Sequence, residues 1–326
     1  MIRRRSIPQT TLSVSPIIYG CMQIGGSWTD DPLRRADIDR ALSCIKAAID
    51  GGVNFFDHAD IYTRGKSEEA FSYSWSELGV RREDVVLQSK CGIRRAGDPD
   101  SQAPHRYDLS GDYIRRSVES SLRRLKCDSL DLLLLHRPDP LIDPDEVGRI
   151  FESLRTEGLV RYFGVSNHNG DQIALLQRSV PFPLAVNQLE FNLIHSDLVD
   201  EGVSVNNASQ RLTVRGDGTL DYCRLHDICV QAYSPLAKGT ISSPPSDADA
   251  RTIAVAEVVR QVGAARGISP EAVQVAWILQ HPAKIMPVLG TTRPDRIVAS
   301  LQGLSVDLTR EEWYRLFTAG RGRALP

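Results

Sequence analysis

Four residues that can take part in proton transfer lie at or just after the ends of apolar runs. Asp57, Lys90 and His136 each end such a run, and Tyr62 follows Asp57 by five residues. Reduction of a carbonyl group needs a hydride on carbon and a proton on oxygen, and the Tyr62 phenol can supply that proton. Because an ordinary phenol has a pKa of about 10, we expect the Lys90 ammonium to lower the pKa of Tyr62 and Asp57 to balance the charge of Lys90. His136 is expected to hydrogen-bond the substrate oxygen and orient it.

Each of these residues also has an ordinary structural explanation. An aspartate at a strand end commonly caps a turn or a helix, a tyrosine packs, and a lysine or histidine there is often a solvated or satisfied polar group. Their joint occurrence after three successive runs favours a shared site. A second chemistry stays open, because Lys90 as a neutral amine can form a Schiff base as barrel aldolases do, whereas the reductase hypothesis keeps Lys90 charged.

Apolar runs alternate with helical patterns along the chain. A strand buried on both faces is apolar throughout, and residues 132–135 are four leucines. Eight such units predict an α/β fold, a single-domain (β/α)8 TIM-type barrel over residues 1–326, whose strand carboxyl ends carry the chemistry. No Gly-x-Gly-x-x-Gly follows the first run, which argues against a Rossmann-type sheet. The predicted strands are 17–19, 53–56, 85–87, 132–135, 160–165, 184–186, 228–232 and 285–289, and the predicted helices are 37–50, 110–126, 144–157, 170–179, 254–266 and 270–281.

Several segments do not fit a minimal barrel. Residues 1–15 alternate loosely between turn formers and apolar residues and predict a hairpin that plugs one end. Residues 94–106 and about 195–220 are polar and are predicted as long loops, the second as an insertion after the sixth strand. Trp28, beyond the first strand, is predicted to wall the substrate pocket.

Composition excludes several classes of protein. The 326 residues carry a net charge of −2, which gives no reason to expect nucleic acid as a partner. No stretch approaches the roughly 18 apolar residues of a membrane span, and no signal peptide follows the basic start, so we expect a cytoplasmic protein. Six cysteines without Cys-x-x-Cys spacing predict free thiols, and the seven histidines show no metal-ligand spacing. The sequence predicts no oligomeric state.

Seven short motifs span nearly the whole chain. They are Asp57-His58-Ala59-Asp60-Ile61-Tyr62, Gln88-Ser89-Lys90-Cys91-Gly92, Leu135-His136-Arg137-Pro138, Gly164-Val165-Ser166-Asn167, Asn187-Gln188-Leu189-Glu190, Tyr233-Ser234-Pro235-Leu236 and Gly290-Thr291-Thr292-Arg293. In these motifs and in their order the chain resembles the aldo-keto reductases. The resemblance implies a TIM-type barrel that binds NADP(H) without a Rossmann domain and reduces a small-molecule aldehyde or ketone. It makes Tyr62 the general acid and Asp57, Lys90 and His136 its partners.

The resemblance also implies a set of cofactor contacts. Ser166, Asn167 and Gln188 would contact the nicotinamide carboxamide, and Tyr233 would stack on the ring. A helix opening after the last strand, with arginines beside it, would bind an anion such as a 2′-phosphate. The cofactor residues that the resemblance implies are Gly20, Cys21, Asp57, Ser166, Asn167, Gln188, Tyr233, Ser234, Pro235, Leu236, Gly290, Thr291, Thr292, Arg293, Arg296 and Ser300.

Three residues depart from the family pattern. His58 stands where many members carry threonine and is expected to tighten the substrate pocket. Gly290 replaces a lysine of some branches, so the preference for NADP(H) over NAD(H) rests on Arg293 and Arg296. Ser300 stands where many members have an asparagine that contacts adenine. Because some family members serve as regulatory partners, a cofactor-sensing subunit with little turnover is a further alternative to the reductase.

Overall fold

Eight parallel strands close into a barrel in the computed structural model, which describes residues 2–205 and 216–326. Each barrel strand pairs with the barrel strands that precede and follow it in chain order, and the last strand pairs with the first. All eight predicted strands are present, which confirms the (β/α)8 barrel. The barrel strands are β3 (Ile18–Gly20), β4 (Phe55–Asp57), β5 (Val86–Cys91), β8 (Leu130–Leu135), β9 (Val160–Ser166), β10 (Leu184–Glu190), β11 (Cys229–Tyr233) and β12 (Met286–Leu289).

The leucine side chains of β8 pack into two separate hydrophobic clusters. Leu132 and Leu134 lie in the cluster that fills the barrel interior, together with Phe55. Leu133 and Leu135 belong to the larger cluster between the strands and the helices. Successive side chains of a strand point to opposite faces, and both faces are covered here, so the whole run must be apolar.

A short hairpin covers the amino-terminal end of the barrel. Strands β1 (Arg5–Ser6) and β2 (Ser13–Val14) pair antiparallel. Ile7, Leu12 and Val14 are buried in the same cluster as the barrel interior. The hairpin therefore closes one end of the barrel, as the sequence predicted, and leaves the other end for a site.

Helices cover the outside of the barrel, and the predicted ones are present within a few residues of their expected ends. Helix α4 begins after Ser110, whose side chain accepts a hydrogen bond from the Tyr113 backbone N–H at 3.4 Å, as expected of an N-cap. The helices are α1 (Arg35–Asp50), α2 (Lys66–Ser72), α3 (Ser74–Glu77), α4 (Gly111–Leu125), α5 (Pro144–Thr156), α6 (Gly170–Gln177), α7 (Asp197–Ser204), α8 (Thr219–Leu225), α9 (Ala250–Arg266), α10 (Pro270–Leu279), α11 (Pro294–Leu301) and α12 (Arg310–Arg321).

The structure corrects one of the two predicted long loops and contains the other. The segment 195–220 holds helix α7 and the start of α8, so it is not a loop throughout. Leu198, Val199 and Val203 of α7 pack against the main core, which stabilises a helix in an otherwise polar stretch. Its residues 206–215 lie outside the described part of the chain. The segment 94–106 is bounded by a short antiparallel pair, β6 (Ile93–Arg94) with β7 (Arg106–Tyr107).

Three further observations concern membranes, metals and thiols. Within residues 2–205 and 216–326, no helix combines the length and apolar character needed to cross a bilayer. In the same residues, no three His, Cys, Asp or Glu side chains are grouped to hold a metal ion. All six cysteines are free thiols.

Candidate active site

A cavity of about 500 Å³ opens at the carboxyl ends of the barrel strands. Asp57 is the last residue of β4, Lys90 lies near the end of β5, and His136 directly follows β8. Tyr62 begins the short helical turn Tyr62–Gly65 after β4. The strand register thus brings the four predicted catalytic residues to one rim, and Asp57, Tyr62 and His136 line the cavity.

The ammonium of Lys90 is the centre of this group. Its Nζ lies 2.8 Å from a carboxylate oxygen of Asp57, 2.8 Å from the backbone oxygen of His58 and 2.9 Å from Oη of Tyr62. An ammonium has three protons and accepts none, so Lys90 donates to all three oxygens. Tyr62 Oη is consequently an acceptor from Lys90, and its own hydrogen is free to be donated into the cavity.

Burial, rather than Lys90, decides the pKa of Tyr62. Desolvation raises the pKa of the phenol above its ordinary value, although the charge of Lys90 and its hydrogen bond act to lower it. Lys90 acts in the expected direction, but burial outweighs it, so the pKa of Tyr62 lies above its ordinary value and not below it. Tyr62 stays protonated at neutral pH, which is the form that a proton donor requires.

Lys90 and His136 differ in charge, since the first is protonated and the second is neutral. Burial alone would lower the pKa of Lys90, but Asp57 and then Tyr62 raise it above its ordinary value. Burial lowers the pKa of His136 well below 6.5, and the charge of Lys90 lowers it further. Lys90 is therefore an ammonium and His136 a neutral imidazole, whose ring lies edge-on to that of Tyr62 with centroids 5.8 Å apart.

Hydrogen bonds fix the side chains expected at the nicotinamide end of the cavity. Ser166 Oγ donates to the backbone oxygen of Gln188 at 2.8 Å and accepts from Asn167 Nδ2 at 2.9 Å. Asn167 has a left-handed backbone with a φ of 61° and also donates to the His136 backbone oxygen at 3.2 Å. Tyr233 Oη donates to Asn167 Oδ1 at 3.1 Å. These bonds hold the side chains of Ser166, Asn167 and Tyr233 along one wall.

The far end of the cavity is basic and has room for a ligand. Space lies open beyond Gly290, so a side chain at this position would enter the cavity. Arg296 Nη1 lies 3.5 Å from the place where a Cβ on Gly239 would stand. Arg293 also lines the cavity, with its guanidinium paired to Asp295 at 2.6 Å. The predicted cofactor residues that line the cavity are Gly20, Asp57, Ser166, Asn167, Gln188, Tyr233, Ser234, Pro235, Leu236, Gly290, Thr291, Thr292, Arg293 and Arg296.

Besides the buried Lys90, four predicted site residues do not line this cavity. His58 points away from it and is fully buried, with its ring edge-on to Phe71 at 4.9 Å. The Ser300 hydroxyl is buried and donates to the Arg296 backbone oxygen at 2.7 Å. Cys21 is also buried, and Trp28 is 43% exposed outside the cavity. The structure thus does not place the side chains of His58, Trp28, Cys21 or Ser300 in the lining of this cavity.

Other cavity residues were absent from the predicted set. Arg137 was part of a quoted motif but had no role, although its place beside His136 was a signal for one. Glu271 lies at the start of the predicted helix 270–281 and Lys238 lies two residues after a motif, but neither pattern indicated a role for these side chains. The lining residues that sequence reasoning missed are Met22, Gln23, Arg137, Lys238, Gly239, Ser242, Glu271 and Val288.

A buried carboxyl beside the catalytic group allows a test by pH. The Oδ1 atom of Asp60 is buried and has no hydrogen-bond partner in the described chain, and the Asp60 backbone N–H donates to the Lys90 backbone oxygen at 3.0 Å. Burial, helped by the charge of Glu68, raises the pKa of Asp60 from 3.8 to about 7. The unfolded chain therefore loses this proton first, and the protein loses stability as the pH rises from about 4 to about 7, by at most about 4 kcal/mol.

We expect Asp60→Asn to remove this pH dependence. The free energy of unfolding, measured by urea denaturation, should increase for the variant relative to the parent protein as the pH rises from 4 to 8, because asparagine does not ionise. Asp221→Asn, at a side chain 80% exposed, is the matched control and should follow the parent curve. Parallel curves for Asp60→Asn and the parent would contradict the buried, titrating carboxyl.

Comparison with known sequences identifies relatives over almost the whole chain. A model of the Aldo/keto reductase family matches residues 16–319. The chain is 37% identical to the oxidoreductase YcsN of Bacillus subtilis (strain 168), over 93% of this chain and 95% of that protein. It is 33% identical to 6-dehydroglucose reductase of Novosphingobium aromaticivorans, over 99% of this chain and 97% of that protein.

Comparison with solved structures supports the fold. The glycerol dehydrogenase AKR11B4 from Gluconobacter oxydans superposes with a TM-score of 0.81 at 24% identity, over 99% of this chain and 97% of that one. At this identity the likeness concerns the barrel alone. Taken with the family match over residues 16–319 and the identities above 30%, these findings show that the chain is an oxidoreductase belonging to the aldo/keto reductase family.

Proposed function

We propose that the protein reduces an aldehyde or a ketone to an alcohol with NADP(H), and that Tyr62 donates the proton. One observation carries this proposal: Lys90 donates to Tyr62 Oη at 2.9 Å, which leaves the phenol hydrogen to the cavity. His136, neutral and lining the same cavity, is suited to hydrogen-bond the substrate oxygen. Proton transfer from Tyr62 then leaves a phenolate beside the Lys90 ammonium, which stabilises the new charge.

The residues along the cavity fit a dinucleotide whose nicotinamide lies beside Tyr62. Asn167 and Gln188 offer amide groups to the carboxamide, and Tyr233 offers a flat ring. The bound cofactor supplies the hydride for the carbonyl carbon. The charged lining residues at the far end are one carboxylate, Glu271, and three cations, Lys238, Arg293 and Arg296. Their net positive charge suits a 2′-phosphate.

The Schiff-base alternative is disfavoured by the contacts of Lys90. An amine that attacks a carbonyl must be neutral and must have a free lone pair. The Lys90 Nζ donates to three oxygens, and Asp57 together with Tyr62 raises its pKa. The group is therefore arranged to stay charged, as the reductase mechanism needs.

The substrate end of the cavity favours a polar, hydroxylated carbonyl compound. Gln23, His136 and Arg137 line it and can hydrogen-bond hydroxyl groups. The chain is also 33% identical to two proteins named 6-dehydroglucose reductase, a name that specifies an oxidised glucose as the compound reduced. We therefore include sugar aldehydes in the substrate class proposed for this protein.

The direct test measures consumption of NADPH with a panel of carbonyl compounds. The panel contains glyceraldehyde, a sugar aldehyde and benzaldehyde, and we expect turnover with preference for the hydroxylated compounds. Tight binding of NADPH with no turnover on any of them would instead support a cofactor-sensing subunit. Borohydride trapping of a carbonyl compound on Lys90 would support the aldolase.

The preference for NADP(H) makes a prediction for Arg296. Arg296→Ala should weaken NADPH binding by roughly 10- to 100-fold, because a charge-assisted hydrogen bond to the phosphate is lost, and should leave NADH affinity nearly unchanged. Titration of protein fluorescence with each cofactor measures both constants. Arg310→Ala, at an exposed position of α12, serves as the control for loss of surface charge. Equal weakening of both cofactors would exclude Arg296 as the 2′-phosphate ligand.

A further inference from the structure

Three buried glutamines join opposite sides of the barrel beneath the cavity. Gln88 on β5 and Gln231 on β11 are fully buried, and Gln188 on β10 is 2% exposed. Strands β5 and β11 lie four places apart in the ring of eight, so they face each other across the interior. Gln188 is register partner to Gln231, and Asp57 is register partner to Gln88, which places all four side chains at one level.

Continuous hydrogen bonds connect these side chains. Gln88 Nε2 donates to Asp57 Oδ1 at 2.6 Å and to Gln231 Oε1 at 2.8 Å. Gln231 Nε2 returns a hydrogen bond to Gln88 Oε1 at 2.9 Å. Gln231 Oε1 also accepts from Gln188 Nε2 at 2.8 Å. The chain of contacts therefore runs from the catalytic carboxylate to a residue of the cavity wall.

The direction of every amide in this chain follows from Asp57. A carboxylate only accepts hydrogen bonds, so Gln88 must present its Nε2 to Asp57. Gln88 then offers Oε1 and the second Nε2 hydrogen to Gln231, which fixes the Gln231 amide in the complementary direction. Gln231 Oε1 in turn requires Nε2 from Gln188. The amide atom that Gln188 has left for the cavity is its Oε1.

We propose that Gln88 and Gln231 are positioning residues that hold Gln188 with its Oε1 toward the carboxamide NH2 of the cofactor. This inference rests on the proposed function, since it assumes that Gln188 contacts the nicotinamide carboxamide. A glutamine amide is nearly the same shape when its oxygen and nitrogen are exchanged, so packing alone does not choose the orientation. The buried hydrogen-bond chain sets the orientation of the Gln188 amide. It also connects Gln188 to Asp57, the carboxylate that binds Lys90.

A cofactor analogue tests the orientation without any turnover. In 3-acetylpyridine adenine dinucleotide phosphate a methyl group replaces the carboxamide NH2, so Gln188 Oε1 loses its donor. The parent protein should bind NADP⁺ more tightly than this analogue by roughly 5- to 100-fold, the effect of an unpaired buried acceptor. Gln231→Met frees Gln188 to turn its NH2 toward the acetyl oxygen, and the ratio of the analogue's dissociation constant to that of NADP⁺ should fall from the parent value to about 1.

A matched variant separates orientation from packing. Gln231→Glu keeps an oxygen that accepts from Gln188 Nε2, so it should retain the parent's ratio, whereas Gln231→Met should lose it. If Gln231→Met does not fold, Gln88→Met removes the link to Asp57 and should lower the ratio in the same direction. Circular dichroism and thermal unfolding establish that each variant is folded before titration.

Each outcome of the titrations decides one of the proposals. A ratio that is unchanged in the methionine variants, or lost equally in Gln231→Glu, overturns the role of the glutamine chain. A parent protein that does not discriminate overturns the orientation of Gln188. Measurement with the NAD⁺ pair as well removes any dependence on the 2′-phosphate. Failure of the parent to bind either dinucleotide would instead overturn the proposed function on which the inference rests.

Discussion

Replacing Tyr62 by phenylalanine should lower the kcat for carbonyl reduction by about 10²- to 10⁴-fold, the usual contribution of a positioned general acid. The substitution removes one hydroxyl and keeps the ring that packs edge-on to His136. Because the Lys90 ammonium keeps Asp57 and the His58 backbone oxygen as partners, the site should stay folded. The affinity for NADPH should therefore change by less than about twofold.

Rates of NADPH consumption and fluorescence titrations separate the two effects. Tyr162→Phe is the matched control, since Tyr162 bonds Thr11 at the opposite end of the barrel and should keep full activity. A Tyr62→Phe protein with near-normal kcat would show that another group gives the proton. An equal loss of cofactor affinity would show that Tyr62 acts mainly in binding.

Replacing Lys90 by methionine should abolish activity and also lower the free energy of unfolding by about 3–5 kcal/mol. Lys90 is fully buried, and methionine of similar length leaves the Asp57 carboxylate in the interior without its counter-charge. Adding Asp57→Asn removes that charge and keeps an oxygen that can accept from Gln88. The double variant should recover more than half of the lost stability and remain inactive, because breaking one partner of a buried pair is more damaging than replacing both.

Urea denaturation of the two single variants and the double variant measures this coupling. Tyr62→Phe serves as the reference for loss of activity without loss of a charge. If the single and double variants are destabilised equally, the ion pair does not control stability. Restored activity in the double variant would contradict the role of Lys90 beside Tyr62.

Much of the architecture follows from apolar periodicity in the sequence. The eight barrel strands and the placement of Asp57, Lys90 and His136 at strand ends come from runs such as Leu130–Leu135. Strands that are buried on both faces are compatible with few fold classes. Helix α7 was missed because its short apolar stripe becomes stable only where it packs on the core.

Strand alternation could have corrected the prediction for His58 and identified Gln88 and Gln231. His58 follows Asp57, so if Asp57 faces the barrel interior its neighbour must face the helices. Gln88 precedes Lys90 by two residues, and Gln231 precedes Tyr233 by two, so each shares a face with a site residue. The pKa of Tyr62, by contrast, depends on how completely the phenol is buried, and the sequence pattern does not predict that burial.

The hairpin of β1 and β2 has a consequence for engineering this chain. It fastens the barrel at the end away from the cavity, through Ile7, Leu12 and Val14. Thermostability can therefore be tuned at this plug while the loops over the opposite mouth are exchanged to accept new substrates. Heat tolerance and substrate range become two independent design variables on one scaffold.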